Sequence, residues 1–276
     1  MYVRGLLFLS LLLSLSAVHA QNPEIRSGAR IAFMGDSITD MGFWKTGYCS
    51  LVMKGLEANG IKAVGIPAGI SNQSSRQMLP RLESSVISRN ATVMTLNSGV
   101  NDVGQGVPLK EYEKNMTEMV ERAQKAGIKV YLLTATLIQE DLSNRQNEKA
   151  VDYNAFLRRL AKEKGCVLVD LNMEMRELLR ILREKYPQMK KNIITVDGLH
   201  MTPFGNLMMA ECVLRGFGFS ASQIEKARVE WMKTVSVEPV NLTLAEYEEL
   251  SRDAYRNGQT LQDYLGNLMI EKEARK

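Results

Sequence analysis

Arg30-Ile31-Ala32-Phe33-Met34, running straight into Gly35-Asp36-Ser37-Ile38-Thr39-Asp40, is the stretch on which the fold turns. A short apolar run without polar alternation describes a strand covered on both faces. The Gly-Asp-Ser that follows puts small and polar residues at that strand's carboxyl end. Residues 62–66, 92–96, 129–134 and 166–170 have the same apolar, β-branched character. Between these runs, residues 48–59, 75–88, 110–125 and 146–164 space their apolar side chains as helices do, and a further helix is expected from Pro203 to about Arg215. Ser74 with Gln77, and Ser143 with Gln146, carry the spacing of capping boxes. Gly60, Gly127 and Gly165 stand where helices should stop. Strands alternating with helices predict an α/β sandwich around a parallel sheet of about five strands. Ligands of such folds bind beyond the carboxyl ends of the strands, so functional residues are to be sought there.

Upstream, residues 1–20 carry one early positive charge (Arg4), an apolar run and the small-residue exit Val18-His19-Ala20. This layout predicts a signal peptide cleaved near Ala20, and an exported protein, periplasmic or extracellular. The apolar run is shorter than the roughly 20 residues a membrane span needs, so no stable membrane anchor is expected. Downstream, residues 220–276 change pattern: helices open at Ser222 and at Thr243, the second stops near Asn257-Gly258, and a last helix follows Thr260. The expected organisation is therefore a leader (1–20), a main α/β domain (21–219) and a helical C-terminal extension (220–276). That extension is expected to pack on the main domain or to mediate self-association.

Composition narrows the function. Of 276 residues, 45% are hydrophobic and 24% charged, which excludes a disordered or fibrous chain. Lys and Arg exceed Asp and Glu only by 35 to 31, so neither nucleic acid nor an anionic membrane is an expected partner. Cys49, Cys166 and Cys212 are too few and too scattered for a disulfide framework or a zinc site. With His19 leaving in the leader, His200 is the only histidine expected in the mature chain.

Three strand ends carry unusual polar groups: Gly35-Asp36-Ser37, then Gly99-Val100-Asn101-Asp102, then Asp197-Gly198-Leu199-His200. Each alone reads as turn or cap chemistry. Together they supply what acyl transfer needs: a hydroxyl nucleophile, an imidazole base, a carboxylate to orient it, and donors for an oxyanion. Asp197 is three residues before His200 and can reach the second ring nitrogen across a loop turn. The neutral amide of Asn101 suits an oxyanion donor.

In these blocks and their order, the sequence resembles the SGNH hydrolases, also called GDSL-like esterases and lipases. The resemblance runs from about Arg30 to Arg215. It implies Ser37 as nucleophile, with its backbone N–H in the oxyanion hole. It implies Gly69 as the second N–H donor, in Pro67-Ala68-Gly69-Ile70-Ser71-Asn72-Gln73-Ser74-Ser75, and the Asn101 amide as the third. Asp197 and His200 are implied as orienting acid and base, no cofactor is implied, and the fold implied is a flavodoxin-like three-layer α/β/α sandwich. The second block departs from the family pattern, with Pro67 for the usual Asn and Asn72 for the usual second Gly. An α/β-hydrolase would need a Gly-x-Ser-x-Gly elbow, which is absent around Ser37. A metal hydrolase would need more than one mature histidine among such dispersed acids.

The expected activity is hydrolysis of carboxylic esters through a Ser-His-Asp triad, with acetyl removal from carbohydrate foremost. Lipase, lysophospholipase and thioesterase activities stand as alternatives within the family, and a non-catalytic carbohydrate-binding protein on this same fold stands as an alternative of a different class. Phe43, Trp44 and Tyr48 follow the nucleophile and are either wall of a sugar or acyl site or core.

Overall fold

The computed structural model describes residues 23–234, 236–237, 242–265 and 267. The expected leader lies outside these residues, as do residues 238–241 and the end of the chain.

Five parallel strands form the sheet: β1 (Arg30–Gly35), β2 (Val64–Gly69), β3 (Val93–Asn97), β4 (Lys129–Leu133) and β5 (Val167–Val169), in the order β2-β1-β3-β4-β5. β1 and β3 are buried almost throughout, which is why their sequences are apolar without alternation. β2 is shifted two to three residues beyond the expected 62–66 and runs through Pro67. Its edge position explains the tolerance: proline's missing N–H weakens an inner ladder but not an outer one. The strand order reverses direction between β1 and β3, and such a switch opens a crevice beyond the strand ends.

Helices cover both faces. α3 (Ser75–Ser85), α5 (Leu109–Lys125) and α6 (Arg145–Lys164) pack together on one side. On the other lie α2 (Tyr48–Ala58), α7 (Leu171–Lys185), α8 (Pro203–Gly216) and α9 (Ala221–Thr234). Two short helices, α1 (Ser37–Asp40) and α4 (Val100–Gly104), sit at strand ends. The Ser74–Gln77 capping box forms as expected at the start of α3. At α6, however, the cap is Asn144, whose side chain accepts from the Gln146 N–H. Ser143 is unavailable there, because its hydroxyl and N–H both donate to Asp141 Oδ1. Among the described residues no helix is long and apolar enough to cross a membrane.

The C-terminal region shares the main core. α9 lies on α2, with Trp231 fully buried and its indole N–H donating to the Leu51 carbonyl at 2.9 Å. Gly55 makes room for it: a Cβ there would stand 2.8 Å from Leu214 and 3.1 Å from Trp231. A two-residue pairing of β6 (Ser236–Val237) with β7 (Leu242–Thr243) leads into α10 (Leu244–Arg256), opened by the expected Thr243–Glu246 capping box. Tyr247 and Tyr255 of α10 pack on Phe204 of α8.

Candidate active site

The site starts from a close approach. A Cβ on Gly35 would lie 2.1 Å from Thr39 Oγ1, so only glycine lets α1 fold back over the end of β1. Asp36 caps α1, its Oδ1 accepting the Ile38 N–H at 3.0 Å, and Ser37 is the first helical residue. A Cβ on Gly69 would lie 2.3 Å from the Asp40 nitrogen, so α1 packs equally tightly against the end of β2. The buried Asp36 has its second carboxylate oxygen without a protein partner, and burial raises its carboxyl to about 7.

His200 arrives from the far end of the chain. Its Nε2 lies 2.9 Å from Ser37 Oγ and its Nδ1 2.6 Å from Asp197 Oδ2. A carboxylate can only accept, so Nδ1 carries the hydrogen and Nε2 is left to accept from the serine hydroxyl. Asp197 Oδ1 also accepts the N–H groups of Leu199 and His200, at 2.9 and 2.8 Å, closing a turn through Gly198 at φ +96°. Partial burial opposes ionisation of Asp197, but hydrogen bonds from the backbone and ring of His200 outweigh it and hold the carboxyl below its ordinary range. Thr202 then caps α8 through the Gly205 N–H, with Pro203 in the first turn.

Asn101 lies in α4, beyond the end of β3, and its Nδ2 donates to the Gln73 carbonyl at 3.0 Å. That bond uses one of the two amide hydrogens and fixes the plane of the side chain. The neighbouring Asp102 works differently. It is buried and accepts the Ser75 N–H at 3.0 Å, the Ser75 hydroxyl at 2.6 Å and the Ser98 hydroxyl at 2.8 Å, so it ties α3 to α4. Burial raises its carboxyl too, against those hydrogen bonds. Gly35 and Gly69 are direct neighbours in the ladder, and β3 lies on the other side of β1. The three short blocks therefore occupy adjacent strand ends. Asn72, where the family pattern has glycine, has φ +62°, a left-handed conformation that asparagine tolerates better than other side chains.

Of the three aromatic residues after Ser37, Tyr48 is core and bonds Thr39 Oγ1 through its hydroxyl. Phe43 stacks edge-on against Phe33. Trp44 alone is open to solvent, at 65% exposure. Two residues that sequence reasoning missed support the site from behind. Arg81 of α3 donates to the carbonyls of Gly35 at 2.9 Å and Ala68 at 2.7 Å, and burial lowers its guanidinium to about 10. Glu140, after β4, accepts hydrogen bonds from the loop that leads to Asp197. Neither lies in a recognisable motif: Arg81 sits on a helix that carries exposed as well as buried residues, and Glu140 lies just past the buried run that ends at Ile138. Among the described residues no group of His, Cys, Asp and Glu gathers as a metal site.

The model of the GDSL-like lipase/acylhydrolase family matches residues 33–207. The acetylxylan esterase of Geobacillus stearothermophilus is 27% identical over 221 residues, covering 71% of this chain and 97% of that protein. An isoamyl acetate-hydrolyzing esterase 1 homolog of Mus musculus is 27% identical over 202 residues, 64% of this chain and 76% of the mouse protein. The crystal structure of the Geobacillus enzyme superposes with a TM-score of 0.64 at 25% identity, covering 71% of this chain and 97% of that one. The crystal structure of another acetyl xylan esterase gives 0.60 at 30% identity, over 67% of this chain and 98% of the other.

Proposed function

The chain belongs to the GDSL-like lipase/acylhydrolase family and is a carboxylic ester hydrolase, and from that premise we propose that it removes acetyl groups from carbohydrate through an acyl-enzyme on Ser37. The observation that carries this reading is the unbroken hydrogen-bond chain from Ser37 Oγ through the His200 ring to Asp197. As Ser37 Oγ attacks the ester carbonyl, its proton passes to Nε2, and the imidazolium is stabilised by the Asp197 carboxylate. The oxyanion is received by the N–H groups of Ser37 and Gly69 and by the free amide hydrogen of Asn101. The proton on Nε2 then goes to the leaving alcohol, and water enters by the reverse route to release the acid.

Acetylated glycan is favoured because two of the similar proteins are acetylxylan esterases. The exposed Trp44, a few residues past the nucleophile, offers an aromatic face for a sugar ring. The test compares acetate release from acetylated xylan with hydrolysis of p-nitrophenyl esters of rising chain length. The reading expects acetate from the glycan, and p-nitrophenyl acetate cleaved faster than longer esters. Preference for long acyl chains would replace it with the lipase alternative, and no hydrolysis at all with the binding-protein alternative. We also propose export with cleavage after Ala20, for which the mature N-terminus should begin at Gln21.

A further inference from the structure

The loop that carries Asp197 and His200 belongs to no sheet or helix. Its only pairing outside the named strands is an isolated antiparallel bridge between Thr195 and Met201, extended by hydrogen bonds from Val196 N–H to the His200 carbonyl (2.8 Å) and from Thr202 N–H to the Ile194 carbonyl (2.8 Å). The Asp197–His200 turn is the tip of this small hairpin. Residues 193–195 form its base, and their N–H groups need partners, because a buried donor left unpaired loses the hydrogen bond it had with water.

One side chain supplies all of them. Glu140 lies 53 residues before Ile193, and its side chain is 1% exposed. Its Oε2 accepts the Ile193 N–H at 2.8 Å, while Oε1 accepts the Ile194 N–H at 2.7 Å, the Thr195 N–H at 2.6 Å and the Thr195 hydroxyl at 2.8 Å. Charge-assisted bonds to three successive peptide groups fix a backbone path far more tightly than neutral contacts do. Arg183 of α7 stands 3.7 Å from Oε2 and donates to the Met189 carbonyl of the same connection. The neighbouring residue adds a second hold at the tip: Gln139, at φ +62°, donates its N–H to the Gly198 carbonyl at 2.7 Å. Gly198 itself stands at φ +96°, a backbone conformation that side chains rarely adopt, so the tip favours glycine.

We propose that Glu140 is a positioning residue for ester hydrolysis: by gripping residues 193–195 it holds the Asp197–His200 turn so that the imidazole stays on Ser37 Oγ. This rests on the reading of Ser37, His200 and Asp197 as the reacting set. Glu140 touches none of them; it acts through the loop. In Glu140→Gln the replacing NH2 group faces N–H donors and cannot accept from them, so the loop base loosens while size and shape are kept. Displacing a reacting group by about 1 Å costs on the order of a hundredfold in rate.

The experiment uses the chain from Gln21 onward, in which His200 is the only histidine, so its ring N–H proton resonance is free of overlap. Glu140→Gln is expected to lower kcat on p-nitrophenyl acetate about 10- to 100-fold with KM unchanged. It should also weaken or shift the low-field Nδ1–H resonance of His200, at a temperature where circular dichroism shows the variant folded. Wild-type kcat and an unchanged resonance would overturn the proposal. Should that variant not fold, Thr195→Val removes one of the four donors. A several-fold fall in kcat with a shifted resonance then supports the proposal, and no change in either overturns it. Ser37→Ala, assayed in parallel, separates the two levels. If it keeps full activity, the site reading fails; if it is inactive while Glu140→Gln matches wild type, only the role of Glu140 fails.

Discussion

Ser37 reaches the site on the end of a central strand, whereas His200 reaches it on an irregular hairpin tip. The serine side is held by the sheet and by the helices packed on it. β1 is buried between β2 and β3, Gly35 admits Thr39, Asp36 caps α1, and Arg81 collects the strand-end carbonyls. The histidine side is more exposed: Val196 is 67% accessible and the Asp197 carboxyl 51%. Its order comes from Glu140, far away in sequence. One half of the contact is thus built from regular secondary structure and the other from an irregular hairpin held at its base by Glu140 and at its tip by Gln139. Regular secondary structure holds the Ser37 side, while the His200 side rests on hydrogen bonds with residues 139 and 140.

The contrast can be broken most sharply on the serine side. Ser37→Ala should lower kcat by about 10^4-fold or more, measured on p-nitrophenyl acetate, because a triad without its nucleophile retains only binding and oxyanion stabilisation. An unchanged thermal midpoint would show that the platform survives. On the histidine side, Asp197→Asn keeps the shape but loses the acceptor that fixes the ring tautomer. A fall of about 10^3-fold in kcat is expected, and a loss under tenfold would mean that solvent at this exposed turn replaces the carboxylate. Asn101→Ala removes the proposed third oxyanion donor, for an expected loss of about 10^2-fold in kcat with normal folding. Wild-type turnover would remove its assigned role.

The smallest effect is on stability, beneath Ser37. Burial raises the Asp36 carboxyl to about 7, against about 3.9 for an unfolded aspartate. Between those values the unfolded chain releases a proton that the folded protein keeps. The carboxyl therefore costs nothing below about pH 4, weakens folding progressively as pH rises, and reaches its full cost above about pH 7. Asp36→Asn retains the Oδ1 cap and cannot ionise, but buries an amide hydrogen. A net stabilisation of about 1 kcal/mol at pH 8 is expected from urea unfolding, shrinking as pH falls to 4. A difference independent of pH would mean that Asp36 does not titrate in this range.

The same division governs how much could be read from sequence. β1, β3 and β4 were legible because an apolar run closed by small polar residues has one reading in an alternating chain. Ser37, Asn101, Asp197 and His200 were legible as motif blocks with local spacing, and the structure brings Ser37, His200 and Asp197 into one hydrogen-bonded line. The shift of β2 followed from an edge position that no local pattern encodes. α7 had no counterpart in the sequence reading, although Leu171, Met175, Leu178, Leu179 and Leu182 form a helical stripe and Asp170 caps it. The apolar run ending at Asp170 obscured where the strand stops and the helix begins. Glu140 and Arg81 were illegible for a different reason: their partners are backbone groups distant in the chain, and backbone groups leave no sequence signature.

The most direct test of the account is covalent. Wild-type protein and His200→Ala are each treated with a fluorophosphonate, digested and sequenced by mass spectrometry. The account predicts one adduct, on Ser37, in the wild type, and little or none in the variant, because the hydroxyl needs the imidazole to become nucleophilic. An adduct on another residue, or equal labelling of Ser37 without His200, would contradict it.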